Sequence, residues 1–107
     1  MTTETIGRFA TPKASQYMQT LAKHFAHKIE VSFTETEASI AFPAGTVRLE
    51  AAGDLMTARY ETDDEETRAR LASVIDRHLA RFAFREGFER MDWKPPLPEP
   101  AESSGEN

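Results

Sequence analysis

TDDEETRARLASVIDRHLARFAFRE, Thr62 to Glu86, is the stretch whose reading decides the fold. Leu71, Val74, Ile75, His78, Leu79 and Phe82 recur at helical spacing, which predicts one long helix with a single apolar stripe. Thr62-Asp63-Asp64-Glu65 has the form of a capping box, with acids where the helix dipole favours them. A helix with one apolar face must bury that face against another element. His78 sits in the middle of the stripe and is its one titratable member.

The partner for that face lies upstream. Ile29, Val31 and Phe33 alternate with polar residues, as do Ala38, Ile40 and Phe42, and then Val47, Leu49 and Ala51. This period of two marks half-buried strands. Leu55 to Glu61 reads as a fourth strand. The connections Thr34–Glu37, Pro43–Gly45 and Gly53-Asp54 are short, which predicts an antiparallel meander. One face of the sheet is apolar; Glu30, Ser32, Arg48 and Glu50 mark the other as solvated.

A second helix precedes these strands. Thr11-Pro12 is a helix start, and Ala14, Tyr17, Met18, Leu21, Ala22 and Phe25 form one apolar face over residues 12–27. Thr5 to Ala10 reads as a first strand weakened by Gly7. Phe84, Phe88, Met91 and Trp93 read as an extended closing segment. The expected fold is therefore α+β: an antiparallel four- to five-stranded sheet in the order β-α-β-β-β-β-α, with two helices packed on one face. Residues 1–93 form the single domain. Residues 94–107, KPPLPEPAESSGEN, hold four of the six prolines and read as a mobile tail.

Composition narrows the function classes. The 107 residues include no cysteine, which removes disulfides and thiolate metal sites. A net charge of −5 provides no footprint for nucleic acid or an anionic membrane. The sequence has no apolar run of spanning length, and its opening residues lack the pattern of a signal peptide. These features predict a soluble cytoplasmic protein. No elbow serine, phosphate-cradling glycine loop or nucleophilic cysteine is present.

The candidate site residues are histidines and arginines. His24 and His27 are three residues apart, ~60° around the helix. His24 falls at the edge of the apolar face and His27 on the wet side. If the two helices lie side by side, His24 and His78 approach across their seam, where His24, His27 and His78 could ligate a divalent metal, Fe or Zn. The competing reading makes His78 a neutral core histidine hydrogen-bonded to a backbone or side-chain partner. Imidazoles more than ~10 Å apart would favour that reading, because ligands to one ion lie ~2.0–2.1 Å from it. Arg81 and Arg85 suit an anionic ligand together with His24 and His78; they also fit a solvated face paired with Asp76 and Glu86.

KHFAHK (Lys23 to Lys28), FPAG (Phe42 to Gly45), HLARFAFRE (His78 to Glu86) and the late Trp93 resemble the bacterial domain of unknown function numbered 2218. The resemblance runs from Ile6 to Trp93. It implies a stand-alone bacterial domain without an established activity or assigned catalytic residues. That family is also similar to a module accompanying siderophore-interacting, flavin-dependent ferric reductases, which implies an association with iron handling and a siderophore-related partner. The resulting expectation is a non-enzymatic binding or accessory domain linked to iron or siderophore use. The alternatives are a homodimeric interaction module without a small-molecule site, and a small-metabolite enzyme with a histidine general base.

Overall fold

A computed structural model of the chain describes residues 2–88 and 90–95. Among these residues, six strands and two helices follow in chain order: β1 (Thr3–Ala10), α1 (Ala14–Ala26), β2 (Val31–Phe33), β3 (Glu37–Phe42), β4 (Gly45–Ala52), β5 (Leu55–Thr62), α2 (Glu65–Ala83) and β6 (Asp92–Lys94). A 3-10 turn, Phe84–Glu86, extends α2. All strands join one antiparallel sheet in the order β2-β3-β4-β5-β1-β6. The α+β class and the antiparallel sheet with both helices on one face are as expected. The strand count of four to five is corrected to six, because the closing segment pairs with β1 as β6.

The periodicities translate directly into burial. The buried residues of α1 are Ala14, Tyr17, Met18, Leu21, Ala22 and Phe25. They meet Ala38, Ile40, Val47, Leu49, Met56 and Ala58 from the sheet and Leu71, Ala72, Ile75 and Leu79 from α2 in one core. No side chain caps the start of α1, which forgoes about 1 kcal/mol. Burying Met18 and Leu21 completely contributes about 1.5–3 kcal/mol each. Packing therefore outweighs the missing cap.

Both helix starts lie inside their expected positions. Thr11 does not cap a helix beginning at Pro12. Its hydroxyl accepts the Lys13 N–H at 3.1 Å and donates to the Glu86 carboxylate at 2.9 Å, and the helix begins at Ala14. Thr62 does not open a capping box either, because it is still paired with Thr3 at the end of β5. The cap is Asp64, whose carboxylate accepts the Thr67 N–H and hydroxyl, both at 2.9 Å.

Gly7, which weakened the reading of β1, is what the fold requires there. It pairs with Trp93 of β6, and a Cβ at this position would lie 2.6 Å from the Trp93 ring. A strand glycine of this kind marks close approach of another group. Gly87 has φ 76° and ends the turn after α2 in the left-handed region.

The closing strand is held by two side chains of α2. Asp76 accepts the Met91 N–H at 3.0 Å and the Trp93 indole N–H at 2.9 Å. Arg68 is buried; it pairs with Glu65 and donates to the Pro95 carbonyl at 2.8 Å. Of the expected tail, Lys94 belongs to β6 and Pro95 follows it, while 96–107 lie outside the described residues. Among the described residues, no helix is long and apolar enough to cross a membrane.

Candidate functional site

The seam between α1 and α2 brings His24 and His78 together. Their ring centroids are 5.0 Å apart with the planes at 47°. This follows from the periodicities: His24 flanks the buried line Leu21–Phe25 on one helix, and His78 flanks Ile75–Leu79 on the other. Phe25 lies 4.8 Å from the His78 ring, and Phe82 lies 6.3 Å from the His24 ring. Phe42 packs edge-on against Phe25 at 4.9 Å. The pair is thus half-buried in an aromatic surround.

Hydrogen bonding assigns the His78 tautomer. Its Nδ1 lies 2.7 Å from the Val74 carbonyl oxygen. A carbonyl can only accept, so Nδ1 carries the hydrogen and donates. In the neutral ring, Nε2 then keeps its lone pair. A backbone carbonyl on one ring nitrogen is the usual support for a histidine that ligates through the other. On His24, burial foremost, then the neighbouring His78, Arg81, Lys28 and His27, pushes the pKa below the ordinary 6.5. Its neutral, lone-pair-bearing form therefore dominates at neutral pH.

The spacing also suits a shared ligand. Two imidazoles on one tetrahedral ion at ~2.0–2.1 Å have ring centroids about 5 Å apart. The third expected ligand does not join them. His27 is the exposed residue that ends α1, and no group of three or more His, Cys, Asp or Glu able to hold a metal occurs among the described residues. His27 lies outside the seam, because a step of three residues turns it onto the wet side. Two nitrogens supply half of a tetrahedral set, so the remaining positions on an ion would fall to water or to an incoming ligand.

Arg81 and Arg85 are both exposed. Arg81 is close enough for its charge to act on His24, while the Arg85 guanidinium lies 5.7 Å from the centre of the Phe84 ring. Among the described residues, the expected pairing of these arginines with Asp76 and Glu86 is not found, because both carboxylates are engaged elsewhere. Asp76 faces the closing strand, and burial raises its pKa. Glu86 accepts the Tyr17 hydroxyl at 2.5 Å as well as the Thr11 hydroxyl, and these bonds lower its pKa. A signal for the Glu86 contact was available: the hydroxyl of a tyrosine on a buried helix face needs a partner. Of the aromatics near the C-terminal end, Phe88 and Trp93 are core, whereas Phe84 is 62% exposed.

Residues 6–94 match the family model described as an uncharacterized protein conserved in bacteria, DUF2218. The chain belongs to this family. No curated protein matches it. The NMR structure of PA4090 from Pseudomonas aeruginosa has the same fold, with a TM-score of 0.71 and 29% sequence identity over 89% of this chain and 98% of that one. The DUF2218 match begins within β1 and ends at the last residue of β6, so it includes residues from all six strands.

Proposed function

We propose that this DUF2218 chain is a non-enzymatic binding or accessory domain whose recognition centre is the His24–His78 pair. The observation carrying this reading is the 5.0 Å approach of the two rings, with the His78 Nδ1 hydrogen committed to Val74. The pair offers two imidazole nitrogens to a divalent transition metal such as Zn²⁺ or Fe²⁺, leaving open positions for oxygen donors of a second molecule. Arg81 adds a positive charge beside the pair, which favours a metal bound to an anionic chelator over the bare cation. This chemistry is consistent with a role in iron or siderophore use, the association carried by the family resemblance.

Calorimetric titration of the metal-free protein with Fe²⁺, Zn²⁺ and Ni²⁺ tests the proposal. Binding tighter than millimolar is expected. It should disappear in a His24→Ala/His78→Ala variant and persist in His27→Ala. Absence of such binding, or binding unchanged in the double variant, would overturn the site. Circular dichroism of each variant separates lost binding from lost fold.

A second reading, a dimerising module, is favoured by one observation: the exposed Phe84 ring beside Arg85. Aromatic and arginine side chains are enriched at interfaces. Sedimentation of the wild type and Phe84→Ser separates the two readings.

A further inference from the structure

Beyond the histidine seam, the opposite face of the sheet carries a second polar arrangement. A groove of about 420 Å³ runs over β3, β4 and β5 there. Its floor is the solvated set of side chains that alternates with the buried Ala38, Leu49 and Ala58. In the register, Ser39 pairs with Arg48, and Arg48 pairs with Arg59. The adjacent row on the same face pairs Glu37 with Glu50, and Glu50 with Thr57. All six residues line the groove.

Two like-charge pairs of opposite sign thus stand side by side. Like charges directly opposite each other destabilise a sheet, so local stability does not account for either pair. The arginines are little used within the chain. Among the described residues, Arg48 makes no ion pair or side-chain hydrogen bond, and Arg59 makes one contact, to Glu4 at 3.7 Å, with both partners about half exposed. The register sets the two arginines opposite each other on β4 and β5, with Ser39 opposite Arg48 on β3, and all three line the groove. That is a donor set for a carboxylate or phosphate. The glutamates repel a second anion one row away and attract a cation. Arg48 and Glu50 are two residues apart on one strand, which sets the rows roughly 7 Å apart.

We propose that this groove binds a small amphoteric ligand, with an anionic group on Arg48 and Arg59 and an amine on Glu37 and Glu50, roughly 7 Å away. The spacing excludes a ligand whose charged groups are joined by a single carbon, such as glycine, and fits an ω-amino acid. Charge complementarity selects this occupant. An apolar partner would cover four charged side chains without pairing them, and a simple polyanion would meet the two glutamates.

Amide chemical-shift titrations of the isotope-labelled protein test the proposal, with 6-aminohexanoate, hexanoate and inorganic phosphate as probes. Saturable shifts confined to β3–β5 are expected for 6-aminohexanoate. Arg48→Gln/Arg59→Gln should weaken its binding about tenfold or more, the loss expected when charged hydrogen bonds are removed. Glu37→Gln/Glu50→Gln should weaken 6-aminohexanoate while leaving hexanoate and phosphate unchanged or tighter. Both variants replace exposed side chains and relieve like-charge pairs, so they retain the fold. The proposal is overturned by the absence of saturable shifts, by equal binding of hexanoate and 6-aminohexanoate, or by shifts that either variant leaves intact. Concentration-dependent shifts of the same amides without any probe would also overturn it, because they would identify a second copy of the chain as the occupant. None of these outcomes involves His24 or His78, so this test and the metal titration fail independently.

Discussion

Asp76→Ala should detach the closing strand while leaving both helices in place. The carboxylate accepts two hydrogen bonds, from the Met91 N–H and the Trp93 indole N–H, and both residues are buried. Removing the acceptor seals two donors away from water at about 1–3 kcal/mol each. Relief from burying the carboxylate offsets part of this, because burial raises the Asp76 pKa. The net destabilisation should be about 2–4 kcal/mol at neutral pH. For a domain this size that lowers Tm by roughly 10–25 °C. Trp93 is the chain's single tryptophan, so its fluorescence reports on the lesion directly. The emission should shift to the red well before helical ellipticity is lost. The pH dependence has a definite sign. The folded state holds this proton above the ordinary 3.8, so the contribution of Asp76 is fully present below 3.8 and declines as pH rises through the raised value. The difference between wild type and variant should therefore narrow with rising pH across that window. A Tm within a few degrees of wild type, with unchanged emission, would refute the assignment of Asp76 as the strand's anchor.

Three further outcomes are expected. Gly7→Ala should cost about 1–3 kcal/mol by chemical denaturation, because its Cβ meets the Trp93 ring at 2.6 Å. The same substitution in a Trp93→Leu background should cost less. Tyr17→Phe should lower Tm at neutral pH. The hydrogen bond to Glu86 holds that carboxyl below the ordinary 4.5, so the stabilisation is present above 4.5 and lost as pH falls through the lowered value; melts repeated across this range should show the variant's deficit shrinking. The His24 ring should titrate below 6.5 by NMR, with its midpoint rising in His78→Ala, which removes both a burying neighbour and a positive one.

The elements legible in the sequence were those with an uninterrupted period. All six apolar positions of α1 are buried, because nothing competes with its helical repeat. The approach of His24 and His78 followed from two such repeats and the rule that helices sharing one sheet face lie side by side. β6 was not legible as a strand. Asp92, Trp93 and Lys94 are too few to show alternation, and their pairing depends on a glycine more than eighty residues upstream in the chain. The roles of Asp76 and Glu86 were hidden for a related reason. A carboxylate near arginines on one helix looks like a surface ion pair, whereas its partners here come from distant segments. Phe33 shows the reverse error: its place in an alternating run implies a buried ring, but the end of a short strand leaves it 37% exposed.

The two outermost strands, β2 and β6, are each three residues long. The exposed margins of a sheet normally invite pairing by other chains, and brevity is one of the ways that natural proteins suppress it. Here a foreign strand pairing with β2 or β6 itself would find only a couple of free backbone groups. At β6 it would also meet the charges of Asp92 and Lys94, and Pro95, which has no N–H to offer. The fold is thus built to resist edge-to-edge aggregation at high concentration. Substitutions that lengthen β2 or replace Lys94 with an apolar residue should erode that resistance before they alter its thermal stability.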